Sequence, residues 1–347
     1  MSITYVRTLD EPGCSDPREF GGKAAGLARL AAAGLPVAPG FAVATSACRA
    51  FLDATGLRSA LDPASPERAA DLLAAAAVPD DVAEAIRQRY ARLCADTGAD
   101  DVEVAVRSSS TVEDSATASF AGEFSTWLDV SGADDVVDHV RRCWAGLFTA
   151  RAGAYARARG VDLDGMEMAV VVQKTVRARA AGVMFTVSPV TGDRSRIVIE
   201  ASWGLGIAVV GGEVTPDRWI VDKVSLEIVE RRPGDKRVEY LRGSTPIVVP
   251  ADRRAIPCLD DEMVLTLARL GKRIEREQGH PQDIEFAVDG DGPVLLQMRA
   301  ETVWSRRVHV PRFAAGASLT NWIVGAATAD GASRSLAPVG HQHDKVN

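Results

Sequence analysis

No apolar run in this 347-residue sequence approaches the length needed to span a bilayer, and the N-terminus lacks a charged segment followed by an apolar one. A cytoplasmic protein with no membrane contact is therefore expected. Cysteine is sparse and unpatterned. Cys14, Cys48, Cys94, Cys143 and Cys258 are scattered and odd in number, with no CxxC and no metal-like Cys/His spacing, so reduced thiols are expected rather than a disulfide framework or a zinc site. Positive charge is not in excess either. The net charge of −7 gives no general attraction to nucleic acid or to an anionic membrane. A chain of this sign that binds polyphosphate must gather its cations at particular Lys and Arg positions.

Two common nucleotide fingerprints are also missing. Gly21-Gly22-Lys23-Ala24 is not a P-loop, because no glycine brackets the spacer before Gly-Lys and Ala24 stands where a hydroxyl should meet Mg²⁺. The glycine-rich stretch from Ser202 to Glu213 lacks both the G-x-G-x-x-G spacing and a following βαβ context, so it is not a dinucleotide site.

What is present is an ordinary globular composition, 46% hydrophobic and 25% charged, in a chain long enough for two or three subdomains. The most informative stretch is Gln282-Asp283-Ile284-Glu285-Phe286-Ala287, then Asp289-Gly290-Asp291-Gly292, then Leu295-Leu296-Gln297-Met298-Arg299. Both arms alternate polar and apolar residues and the Asp-Gly pairs favour a hairpin turn. A register pairing 285 with 297 gathers Asp283, Glu285, Gln297 and Arg299 on one face, and turns Ile284, Phe286, Leu296 and Met298 into a core. A carboxylate and an amide oxygen are hard ligands of the kind Mg²⁺ uses beside substrate phosphates, and the Arg fork suits a phosphate oxygen. A solvated hairpin face with an incidental ion pair fits this stretch equally well.

Upstream, a strand over 3–9 and a loop from Glu11 to Phe20 lead into Gly21-Gly22-Lys23 and an Ala/Leu helix that stops at Gly34. Glycines beside a Lys at a helix start suit an anion, or form a turn with a surface Lys. A buried strand ends near Val43, where Thr45 or Ser46 can cap the next helix. Residues 59–97 are Ala-rich and helical, broken at Pro63, Pro66 and Pro79. The strand with Val102, Val104 and Val106 ends in Arg107-Ser108-Ser109-Ser110-Thr111, which reads as a phosphate cradle or as a capped turn before Trp127. Residues 119–123 read as a small-residue loop able to cover a ligand. Val136, Val140, Cys143, Trp144, Leu147 and Phe148 recur at helical spacing and are expected in the core. The apolar strands over 168–176 and 182–187 are an adjacent pair that can clamp a flat base, interrupted by Gln173 and Lys174. A hairpin over 218–230 and a helix carrying Met263, Leu267, Leu270 and Ile274 precede the opening strand of the 282–299 hairpin.

These residues carry a resemblance. From about residue 14 to 304 the chain resembles the nucleotide-binding domain of phosphoenolpyruvate synthase, pyruvate phosphate dikinase and rifampin phosphotransferase. The matching blocks are Gly21-Gly22-Lys23-Ala24-Ala25-Gly26-Leu27, Val106-Arg107-Ser108-Ser109, Ser119-Phe120-Ala121-Gly122, Val172-Gln173-Lys174, Gly182-Val183-Met184-Phe185-Thr186, Gly211-Gly212-Glu213-Val214-Thr215-Pro216-Asp217 and the hairpin itself. The resemblance implies an α+β, ATP-grasp fold whose two subdomains, residues 1–188 and 189–303, enclose an ATP cleft, with 304–347 a tail or linker remnant. It implies that Lys23 and Arg107 meet the phosphates, that Glu285 and Gln297 hold Mg²⁺, and that Arg299 stabilises the phosphoryl group in transit. Gln173, Lys174 and Val176 line the adenine slot, and Asp283 joins the nucleotide-binding set. The chain departs from the family at Ile207, commonly Glu; at Glu123, commonly Gln; and at Ala300, commonly Pro.

In such enzymes the phosphoryl group passes to a histidine on a swivelling domain. His139, His280, His309, His341 and His343 have none of that domain's glycine-rich, Thr/Ser-flanked setting, and the segment after Thr302 resembles the beginning of an interdomain linker. The resemblance thus implies an ATP-dependent phosphotransferase subunit of a split system like phenylphosphate synthase. It would pass the β-phosphoryl, as pyrophosphoryl, to a histidine on a separate carrier, with AMP and phosphate the eventual by-products, and leave the final acceptor to another subunit or domain. A non-catalytic ATP-binding regulatory or scaffold subunit and a direct small-molecule kinase are the alternatives.

Overall fold

The computed structural model describes residues 4–56, 66–110, 126–147, 167–243, 245–290 and 292–304. These form a mixed helix and sheet structure. The first sheet is built from β1 (Val6–Thr8), β2 (Gly40–Val43), β3 (Val104–Ser110), β4 (Thr126–Val130) and β5 (Met168–Lys174), in the order β1-β2-β5-β3-β4. The second holds β6 (Ala180–Phe185), β7 (Arg196–Trp203), β8 (Asp217–Asp222) and β9 (Ile228–Arg232). A small pair, β10 (Val238–Glu239) with β11 (Ile247–Val248), stands apart, and β12 (Gln282–Val288) and β13 (Pro293–Ala300) return to complete the order β13-β12-β6-β7-β8-β9. The strands expected as an adjacent pair over 168–176 and 182–187 are adjacent in sequence only. The chain changes sheet between residues 174 and 180, so β5 and β6 do not pair.

The helices are α1 (Pro17–Ala32), α2 (Thr45–Thr55), α3 (Pro66–Ala75), α4 (Asp80–Thr97), α5 (Ala133–Gly146), α6 (Ile207–Val210), α7 (Ala251–Arg254) and α8 (Asp261–Gln278). Among the described residues no helix is long and apolar enough to cross a membrane. One face of the first sheet is covered by α2, α4 and α5, with Phe41, Val104, Val106, Val170 and Val172 buried against Phe51, Ile86, Val136, Val140 and Trp144. The helical stripe of the sequence is thus core; Phe148 lies outside the described residues. The Trp144 ring stacks on Phe51 at 5.3 Å, and its indole N–H donates to the Met168 carbonyl at 3.0 Å, satisfying the one polar atom buried with it. On the second sheet, Val264, Leu267 and Ile274 of α8 pack with Met184, Ile199, Ile284 and Phe286. The helix begins where Asp260 accepts from the Met263 N–H at 2.8 Å and stops at Gly279, whose φ of 77° a side chain rarely adopts.

α1 differs from its sequence reading. It begins at Pro17, inside the expected loop, because Asp16 caps it by accepting from Arg18 N at 2.9 Å and proline is suited to a first turn. It is then broken at Gly21, with φ 73° and ψ 170°. Its far half serves both cores: Leu27 packs with Ala42 and Val171 of the first sheet, whereas Leu30 packs with Leu295 and Met298 of the second. Neither Thr45 nor Ser46 caps α2. Ala44 is held in the strand by its N–H bond to Tyr5 and becomes the N-cap, leaving the Thr45 hydroxyl to donate to the Arg18 carbonyl at 3.5 Å.

Candidate functional site

The hairpin expected from period-2 alternation is present in the expected register, with Glu285 opposite Gln297, Asp283 opposite Arg299 and Ile284 opposite Met298. Antiparallel partners directly opposite each other project from the same face, so the four polar residues form one group. Beyond that pair the register shifts. Phe286 pairs with Leu295, leaving Leu296 as the extra residue of a β-bulge. This corrects the expectation that Leu296 enters the core behind the hairpin. Leu295 takes that place, and Leu296 packs beside Ala181, Ala287, Val176, Ala178 and Leu205.

The bulge has a further effect. The Leu296 carbonyl accepts from Arg107 Nη1 at 3.3 Å, tying β3 of one sheet to β13 of the other. β3 runs through Ser110, within the stretch where the strand is expected to end, and Ser108, Ser109 and Ser110 are all buried. These hydroxyls therefore do not form an open cradle. Ser109 Oγ donates to the Phe20 carbonyl at 2.8 Å and accepts from the Ala24 N–H at 3.2 Å, bracketing the break in α1. Lys23 Nζ donates to the Ser108 carbonyl at 3.0 Å. A Cβ on Gly21 would lie 2.0 Å from the Ser109 carbonyl oxygen, and one on Gly26 would lie 2.8 Å from that of Met298. Gly21→Ala is accordingly expected to destabilise the chain by about 1–3 kcal/mol from backbone strain alone, and the carbonyl clash adds to that. A melting curve within a degree of wild type would overturn this account.

Glu285 and Gln297 are half-buried, and neither side chain makes a hydrogen bond or ion pair among the described residues. Asp283 is 8% exposed and receives Arg299 Nε and Nη2 on the same carboxylate oxygen, both at 2.7 Å. Burial pushes the Asp283 carboxyl above its ordinary range; Arg299 pulls it down, and Glu285 and Glu301 push it up again. Three carboxylates thus share a small region with one guanidinium, which is bound to Asp283. Local negative charge with unoccupied hard oxygen donors suits a divalent cation. Among the described residues no group of three or more His, Cys, Asp or Glu is placed to hold a metal alone. The donor set of Glu285 and Gln297 fits Mg²⁺, an ion that takes one or two protein oxygens and completes its shell with phosphates and water.

The remaining expected residues fall on adjoining elements. Gln173, opposite Ala105 on β5, is 1% exposed and donates from its amide to the Ala38 carbonyl at 3.2 Å. Lys174 follows it into solvent, and Val176 packs with Leu296 in the small apolar patch next to Gln297. Ile207 packs in a cluster with Ala208, Val214 and Tyr240. Glu123 and the loop over 119–123 lie outside the described residues. Two contributors escaped the sequence reading. Glu301 continues the alternation of Gln297 and Arg299, which was the available signal. Ser109 gave no signal for its bond to α1, because its partners lie more than eighty positions away.

Residues 18–315 match the family described as pyruvate phosphate dikinase, AMP/ATP-binding domain, and the chain belongs to that family. A probable phosphoenolpyruvate synthase of Methanothermobacter thermautotrophicus is 42% identical over 86% of this chain and 46% of its own length. The probable phosphoenolpyruvate synthase of Staphylothermus marinus is 40% identical over 87% and 42%. The prodigiosin synthesizing transferase PigC of Serratia marcescens is 40% identical over 89% of this chain and 34% of its own length. The chain spans less than half the length of each of these relatives. Among solved structures, D-alanyl-alanine synthetase A of Vibrio cholerae aligns over 92% of this chain and 66% of that one, at 11% identity and a TM-score of 0.31.

Proposed function

We propose that this chain binds Mg-ATP in an ATP-grasp cleft between its two sheets, the chain passing from the first to the second between residues 174 and 180, and transfers the β-phosphoryl of ATP, as the pyrophosphoryl group, to a histidine on a separate carrier protein. Forming the N–Pβ bond breaks the bond from Pβ to AMP, which leaves; water then cleaves the β–γ bond, releasing phosphate and leaving the β-phosphoryl on the carrier, and an acceptor-binding subunit or domain completes the reaction. The observation that carries this reading is the opposed pair Glu285 and Gln297, whose side chains have no partner among the described residues, beside the Asp283–Arg299 ion pair, in a chain of this family. In this scheme Glu285 and Gln297 hold Mg²⁺, which neutralises phosphate charge when bound. Lys23 and Arg107 meet phosphate oxygens, and Arg299, held in plane by Asp283, faces the group in transit. Gln173, Lys174 and Val176 border the base. Phosphoryl transfer asks of a protein chiefly this positioning and charge stabilisation. Of the described histidines, His139 bonds to the Asp135 carbonyl and packs edge-on against Trp127, while His280 bonds to Gln282 at the start of β12. Neither of these two bonds to Asp283, Glu285, Gln297 or Arg299.

The test is a calorimetric titration of Mg-ATP into the chain and into Glu285→Ala. Saturable binding that needs Mg²⁺ and is weakened at least about 10-fold in the variant is expected, since a lost charged metal ligand removes more than 1.4 kcal/mol. Equal affinity in both proteins would remove Glu285 from the site. A second reading, an ATP-binding subunit without transfer, is favoured by the apolar packing of Ile207 where the family commonly has Glu. AMP formation that depends on an added histidine-bearing carrier domain of a full-length family member separates the two.

A further inference from the structure

The face of the second sheet that carries α8 is the one opposite Asp283 and Glu285, since Ile284, Phe286 and Met184 point toward the helix. At the C-terminal end of α8 there is a cavity of about 630 Å³, within the size range of small-molecule sites. Its walls include Arg194, Lys223, Arg269, Lys272, Arg273 and Arg276, with Glu275 the one acid among its lining residues. On a chain of net charge −7 this is a concentrated reversal of sign.

The four helix cations have the spacing 269, 272, 273 and 276, so they form one stripe along one face of α8. Like charges three and four positions apart repel, which disfavours such a stripe unless something negative lies against it. Part of it is compensated within the protein. Lys223 Nζ lies 2.7 Å from Glu275, and Arg273 bonds to Glu277 at 2.9 Å. The rest is not. Arg194, Arg269, Lys272 and Arg276 are exposed, and their side chains make no hydrogen bond or ion pair among the described residues. A single positive residue in the last turn suffices to complement a helix dipole, so the dipole does not account for four on one face together with Arg194 from another loop.

We propose that this cavity is a second ligand site, for a small anion of two or more negative charges, phosphorylated or polycarboxylic. The guanidinium forks of Arg194, Arg269 and Arg276 match the paired oxygens of either group, and Lys272 adds a point charge. A macromolecular acid is the less fitting occupant, because Arg194 from a separate loop and the cations of α8 line one cavity of small-molecule size. The site is reached from the side of the sheet away from Glu285 and Gln297, so its ligand does not compete with one held there.

Inorganic pyrophosphate and, in a parallel arm, citrate are titrated into the chain at constant ionic strength without added Mg²⁺. Saturable binding of at least one anion is expected, weakened about 10-fold or more in Arg269→Ala/Arg276→Ala, because two charge-assisted contacts are lost. It should be unchanged in Arg242→Ala, a cation paired with Glu103 elsewhere. Hydrogen exchange should slow in residues 269–281 on binding. Pyrophosphate binding alone assigns phosphorylated ligands, and citrate binding alone assigns carboxylates. No saturable binding of either, equal affinity in the double variant, or protection confined to other segments would overturn the proposal. The double variant's melting temperature, expected at or above that of wild type once like charges are removed, shows that a loss of binding is not a loss of fold.

Discussion

Asp217→Ala is expected to destabilise this chain by about 3–5 kcal/mol, the cost of stranding one member of a buried ion pair. Asp217 is 1% exposed and Lys236 0%, with Lys236 Nζ on Asp217 Oδ1 at 2.5 Å. The same carboxylate accepts the Gly234 N–H at 2.8 Å on one oxygen and the Cys258 N–H at 2.7 Å on the other. It therefore joins the start of β8 to the loop after β9 and to the segment that leads into α8. Removing it leaves a buried ammonium, the buried Cys258 N–H and the part-buried Gly234 N–H without their acceptor, and the unsatisfied buried amide adds about 1–3 kcal/mol. The two partners are not equivalent. Lys236→Met should cost less, because Asp217 keeps its two N–H donors. The double variant Asp217→Ala/Lys236→Met should recover part of the loss, since no stranded charge remains, but not all, since the amides are still unpaired. Urea unfolding measures all three. A double variant as stable as wild type would show that the backbone bonds carry nothing, and an Asp217→Ala protein within 1 kcal/mol would sink the clamp.

Asp217 also shows where sequence reading stopped. It closes a block, Val214-Thr215-Pro216-Asp217, whose match to a family was visible while its physical role was not. Nothing in the loop sequence Pro233-Gly234-Asp235-Lys236 marks its lysine as the most buried charge among the described residues, because burial of a loop cation depends on a partner nineteen positions away. By contrast, the hairpin's register was legible, since alternation and turn chemistry are local, and it placed Glu285 against Gln297 and Asp283 against Arg299. The same rule failed at Leu296. A bulge inserts one residue without disturbing composition, so alternation assigned that side chain to the wrong face. Ser108, Ser109 and Ser110 failed in a related way. Hydroxyls read as solvent-seeking donors are instead buried in a strand, with Ser109 spent on the break in α1. Elements follow from short-range pattern; the contacts that join α1, β3 and β13 are long-range and required the fold.

If the proposed transfer is correct, Arg299→Lys should lower the single-turnover rate to a carrier histidine by about 10²- to 10³-fold, the usual loss when one preorganised charge donor is taken from a transition state. Mg-ATP affinity should change little, because lysine keeps the positive charge but not the planar fork. The geometry gives Asp283 a separate part. It receives Nε and Nη2 on one oxygen at 2.7 Å, fixing the plane of the guanidinium rather than touching the reacting group. Asp283→Asn keeps the volume and one acceptor but removes the charge that orders the arginine, so its rate should fall between wild type and Arg299→Lys. The decisive protein is the double variant. A residue acting only through Arg299 has nothing left to orient once the fork is gone, so Asp283→Asn/Arg299→Lys should be no slower than Arg299→Lys alone. If the two losses multiply instead, Asp283 acts independently of Arg299, on the metal or on the nucleotide. If Arg299→Lys transfers at the wild-type rate, the polar face of the hairpin binds a ligand without taking part in its chemistry.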